Sequence, residues 1–104
     1  MNETEYHRLA DIALGKLYDI LEEADANGSL DAEYQDGIVT IGLPSNKQYI
    51  ISKHVMSREL WLSSPLSGGL HFSYDGEWKL PDGRTLADIL CAELKMLAGI
   101  EVYS

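Results

Sequence analysis

Apolar side chains at Tyr6, Leu9, Ala10, Ala13, Leu17, Ile20, Leu21 and Ala24 recur at the spacing of one helix face. This predicts a first helix over residues 4–25, capped by Asn2 or Thr4 and stopped by the Asn27-Gly28 pair, where a left-handed residue ends the helix. At about 100° per residue, the arc opposite the apolar stripe holds Asp11, Asp19, Glu22 and Glu23. One face is core and the other is acid. The period then switches to two. Leu30, Ala32 and Tyr34 alternate with Asp31, Glu33 and Gln35, which predicts a strand over 30–35 with an apolar inner face and an acidic outer one. Asp36-Gly37 is a hairpin signal leading into a strand over 38–43, and Pro44-Ser45-Asn46 turns the chain into another over 48–55. Further strands are expected over 58–63, 70–74 and 77–80, separated by Ser67-Gly68-Gly69 and Asp75-Gly76. Pro81-Asp82-Gly83 ends this meander. Thr85 with Asp88 then starts a second helix, whose stripe is Leu86, Ile89, Leu90, Leu94 and Leu97, with Gly99 near its end.

The order helix, strands, helix predicts an α+β two-layer sandwich: an antiparallel sheet of five or six strands with the N- and C-terminal helices packed on one face. The other sheet face then meets solvent, and strand alternation says what it presents. Leu60 and Leu62 point inward and leave Glu59, Trp61 and Ser63 outside. Tyr49 and Ile51 point inward with Ser52 and His54 outside, and Phe72 and Tyr74 inward with His71 outside. His54, Trp61 and His71 are thereby expected to form one exposed cluster. A large aromatic is more often core, and only the flanking leucines reverse that preference for Trp61. Trp78 has no such argument and reads as packing.

Charge sharpens the picture of the first helix. The 104 residues carry a net charge of −9, and residues 1–36 hold ten Asp or Glu against Arg8 and Lys16. Residues 37–104 are nearly balanced, with seven acids and six bases. So local an imbalance repels itself, and cations or a basic protein surface would offset it. The acidic arc is either a solvated face or a binding surface. The acidic outer side of the adjoining strand favours the second. Scattered carboxylates suit hard cations but lack the converging loops of a tight site, so metal binding should be weak and multiple. His7, one turn before Asp11, is either a surface residue or the partner of Asp11 in sharing a cation.

An acidic chain with pI near 4.5 argues against nucleic acid and anionic membranes as partners. A single cysteine, Cys91, excludes an internal disulfide and any all-cysteine metal site within one chain. Beside Leu90 it reads as an inert, partly buried thiol in a reducing compartment. The helical pattern begins at the N-terminus with no signal or transit segment, and no apolar run has the length of a membrane span, so the expected location is the cytoplasm. Gly68-Gly69 reads as turn chemistry rather than a phosphate loop, and no nucleophile elbow supports hydrolysis. Residues 1–104 are expected to form one domain.

The run Trp61-Leu62-Ser63-Ser64-Pro65 with Ser67-Gly68, preceded by Tyr49-Ile50-Ile51-Ser52-Lys53 and followed by Asp82-Gly83, Leu86, Leu90 and Glu93-Leu94, resembles the frataxin family. Tyr6-His7-Arg8-Leu9-Ala10-Asp11 is similar to the opening of bacterial frataxins, and Gly37-Ile38-Val39-Thr40-Ile41 to their second strand. The likeness covers essentially the whole chain. It implies an iron-binding protein of iron–sulfur cluster assembly that acts on the cysteine desulfurase and scaffold protein, donates iron, and is a monomer able to form iron-dependent oligomers. It implies weakly held ferrous or ferric iron on His7, Asp11, Asp19, Glu22, Glu23, Asp25, Asp31 and Glu33. It also implies a partner-binding sheet surface of Ser52, Lys53, His54, Trp61 and His71. Many relatives carry Asn where this chain has Ser52, and mitochondrial members carry Arg where it has His71, which leaves the sign of desulfurase regulation open. The competing functions are a ferroxidase that oxidises iron on the ridge, disfavoured because no buried Glu-x-x-His di-iron pattern is present, and an acidic interaction module with incidental metal binding.

Overall fold

The computed structural model describes residues 1–25 and 28–102. Helix α1 spans Glu3–Ala24, six strands follow as β1 (Asp31–Gln35), β2 (Ile38–Gly42), β3 (Gln48–His54), β4 (Glu59–Ser64), β5 (Gly68–Tyr74) and β6 (Trp78–Lys79), and α2 spans Leu86–Ala98. The strands form one antiparallel sheet in the order β1-β2-β3-β4-β5-β6. This is the α+β sandwich the periodicities predict.

Local chemistry explains the boundaries. Asn2 caps α1 by accepting from the Glu5 N–H at 2.8 Å, which settles the choice between Asn2 and Thr4. Of the expected Asn27-Gly28 stop, Asn27 lies outside the described residues and Gly28 is left-handed, with φ 65°, but α1 already ends at Ala24 with Asp25 as its cap. At Asp36-Gly37 both residues take positive φ, 54° and 75°, which is the tight hairpin that joins β1 to β2. Thr85 caps α2 through the Asp88 N–H, and Gly99 ends it in the left-handed region. Two strand expectations shift. Gly68 and Gly69 belong to β5, paired with Ser64 and Ser63, because a small residue can continue a ladder as well as end it. The last strand shortens from 77–80 to Trp78–Lys79.

The core lies between sheet and helices. Tyr6, Ala10, Leu14 and Leu21 of α1 and Leu86, Ile89, Leu90 and Leu94 of α2 pack on Val39, Ile41, Tyr49, Ile51, Leu60, Leu62 and Phe72. Trp78 is buried with them, as expected. Tyr34 faces the helix layer as assigned, opposite buried Val39, but β1 is an edge strand, so the residue is 36% exposed and leans on Tyr18 of α1, 6.2 Å between ring centroids. A buried hub ties α2 to the β4–β5 turn. The Glu93 carboxylate accepts hydrogen bonds from the hydroxyls of Tyr49, Ser64 and Ser67.

Candidate functional site

Two surfaces carry the chemistry. The first is the acidic ridge along α1 and the outer face of β1. Asp19, Glu22, Glu23, Asp31 and Glu33 are all exposed, and none makes an ion pair among the described residues. Tyr18 marks where the two elements meet. Its phenol is pushed above the usual range first by its hydrogen bond to Glu22, next by desolvation, and then by the fields of Glu22, Asp19 and Glu33. Carboxylates from the helix and the strand therefore act on one point, and sequence periodicity gave no sign of Tyr18's position there.

The ridge is diffuse. Among the described residues, no group of three or more His, Cys, Asp or Glu side chains converges in a way that could hold a metal ion. Several members of the expected ligand set are already engaged. Asp25 organises the connection from α1 to β1: one carboxylate oxygen accepts from the Ser29 N–H at 2.8 Å and the Ser29 hydroxyl, and the other accepts from the Leu30 N–H at 2.9 Å. Asp11 accepts from the Lys53 ammonium at 2.7 Å. His7 and Asp11 do share a cation, as their spacing allows, and that cation is Lys53.

The same contact corrects the place of Lys53. The resemblance puts it on the partner-binding face with Ser52, His54, Trp61 and His71, but Lys53 pairs in register with inward-facing Leu60 and reaches α1. Strand alternation sends neighbours to opposite faces, so Ser52 and His54 cannot share a face with Lys53.

The second surface is the solvent face of the sheet. Ile38, Ser52, Trp61 and His71 lie in one cross-strand row over β2, β3, β4 and β5. The Trp61 indole is stacked between two imidazoles. His54 lies 3.7 Å away by ring centroid with 6° between planes, and His71 4.1 Å away with 8°. The indole N–H donates to Glu59 at 3.0 Å, and His54 Nδ1 lies 2.6 Å from the Ser57 hydroxyl. The Trp61 hydrogen bond, with help from Ser57 and the two imidazoles, holds the Glu59 carboxyl below its usual range against the opposing effect of burial. The exposed cluster expected from alternation is present, with Trp61 half-buried by its two neighbours. Glu59 completes it. Alternation had placed Glu59 on this face without giving it a role.

The sequence and the fold that carry these two surfaces are shared with known proteins. Residues 1–100 match the frataxin-like domain. The chain belongs to the frataxin-like family. This frataxin-like chain is 42% identical over 79 residues to the iron–sulfur cluster assembly protein CyaY of Vibrio cholerae, a match spanning 75% of this chain and 73% of the relative. It superposes on trimeric frataxin of the yeast Saccharomyces cerevisiae, a structure complexed with ferrous iron, with TM-score 0.77 and 35% identity over 86% of this chain and 85% of that one. Frataxin of Psychromonas ingrahamii shares the fold, with TM-score 0.80 and 24% identity over 98% of this chain and 96% of the other. Among the described residues, no helix is long and apolar enough to cross a membrane.

Proposed function

We propose that this frataxin-like chain, acting as one domain, is an iron-binding protein of iron–sulfur cluster assembly that modulates a cysteine desulfurase–scaffold complex and hands it iron. The observation that carries the reading is the row of exposed carboxylates on α1 and β1 that make no ion pair among the described residues, with Asp19, Glu22 and Glu33 all acting on Tyr18. Oxygen ligands on rigid elements attract hard cations without enclosing them, which suits iron held weakly as cargo and released to a partner. The same field complements a basic protein surface. The name of the Vibrio cholerae relative supports the pathway, and the ferrous complex of yeast frataxin supports the ion.

On this reading Asp19, Glu22, Glu23, Asp31 and Glu33 take iron and dock on the desulfurase, while Ser52, His54, Trp61 and His71 touch the assembly. The chain works in the cytoplasm as a monomer that iron draws into oligomers. The yeast protein, trimeric and complexed with ferrous iron, offers a parallel. It is a binding module rather than a ferroxidase. Sulfide production by purified desulfurase and scaffold, with and without the chain and iron, is the test. A rate that responds to neither overturns the proposal, and iron oxidation under excess oxygen separates it from the ferroxidase reading.

A further inference from the structure

We infer that Lys53 is a built-in cation that keeps the N-terminal end of the ridge closed to metal, so that iron loads only toward the Asp19–Glu33 end. The inference rests on the ridge being the iron surface. His7 and Asp11, at i and i+4 on α1, point the same way and make a plausible pair of metal ligands. The Lys53 ammonium lies between them, 2.7 Å from Asp11 Oδ1 and 3.2 Å from His7 Nδ1. An ammonium only donates, so His7 Nδ1 must be the accepting nitrogen, and its proton sits on Nε2, which lies 3.7 Å from Glu3 Oε1. The lone pair a metal would need on His7 is therefore the one that Lys53 uses.

The lysine is also held in place. Its side chain is 19% exposed and crosses the β1–β2 turn so closely that a Cβ on Gly37 would lie 2.8 Å from its Cε. Gly37 thus serves two needs, the positive φ of the hairpin and the passage of the lysine stem. Among the described residues, Lys53–Asp11 is the one ion pair between a Lys or Arg and the carboxylates of the expected ligand set. A metal entering here has to break a charge-assisted hydrogen bond and expel a partly buried ammonium. At the other end of the ridge, among the described residues, no Lys or Arg pairs with the carboxylates.

The test is Co²⁺ titration of the full chain, followed at the histidine and carboxylate side chains by NMR. Lys53→Met removes the charge and keeps the stem over Gly37. It should bring the His7 response to Co²⁺ concentrations lower by about tenfold or more, the order expected for one charge-assisted hydrogen bond. His7→Ala in the Lys53→Met background should cancel that gain and leave the Asp31 and Glu33 responses unchanged. Lys53→Arg, which keeps a cation in place, should show no gain, and it tests the inference if the methionine variant folds poorly. A wild-type His7 that responds at the same Co²⁺ as Lys53→Met overturns the inference while the ridge still binds metal. Co²⁺ binding nowhere on the ridge in either protein overturns the proposed function and this inference together.

Discussion

Individual residues divide by which face they occupy. Trp61 is large, yet it packs chiefly on the rings of His54 and His71, outside the core between sheet and helices. Trp61→Ala should therefore melt near the wild type, keep iron binding on the distant ridge, and lose about 2 kcal/mol or more of affinity for the desulfurase–scaffold complex. Calorimetric titration together with a thermal melt checks both halves. Glu93 is the opposite case. Glu93→Ala strands the hydroxyls of Tyr49, Ser64 and Ser67 and should cost about 3 kcal/mol in urea denaturation without altering metal binding. The same hub sets an alkaline limit. Burial, then the Glu93 hydrogen bond, hold the Tyr49 phenol well above its usual 10.0. The unfolded chain ionises first, so this contribution is complete below the usual value and is lost as pH rises above it. Urea midpoints should fall above that pH. Tyr49→Phe should flatten part of the decline, and Tyr6, also raised chiefly by burial, should account for more of it.

At the scale of elements, α1 does two jobs with two faces. Its inward stripe of Tyr6, Ala10, Leu14 and Leu21 is fully buried, so its outward arc can change charge without touching the core. Replacing Asp19, Glu22 and Glu23 together by Lys should leave the fold intact and weaken both iron and desulfurase binding, more than replacement by Gln or Ala. Circular dichroism and a desulfurase pull-down measure the two effects. A triple-Lys variant that binds like the wild type would reduce the ridge to a solvated face. Strand β1 contributes through its position at the sheet edge, where Asp31 and Glu33 continue the helix's field onto the outer face.

For the whole molecule, a net charge of −9 concentrated in residues 1–36 works against compaction. Any cation that binds only the folded state should raise stability by about 2.7 kcal/mol at a hundred times its dissociation constant. That corresponds to a melting shift on the order of 4–8 °C per kcal/mol for a domain of this size. Salt should also help by screening. Scanning calorimetry with added salt, and separately with iron, should show both rises, and an unchanged melting temperature would remove the repulsion argument.

Periodicity by itself determined the helices, the strand order, the two faces of α1 and the solvent-facing set of His54, Trp61 and His71. The physical reason is that burial must follow the 3.6- and 2-residue repeats of the backbone. The sign of the ridge was equally legible, since charge is written directly in the residue types. Only the tertiary structure decided what meets across elements separated in sequence. It placed Lys53 of β3 between His7 and Asp11 of α1, and Tyr18 among the carboxylates of α1 and β1. It also gave Glu93 its three hydroxyls and engaged Asp25 as the clasp of the α1–β1 connection. Alternation fixes the direction of a side chain but not its reach. The long side chain of Lys53 found its partners 42 and 46 residues away, at a distance that packing sets and no local repeat encodes.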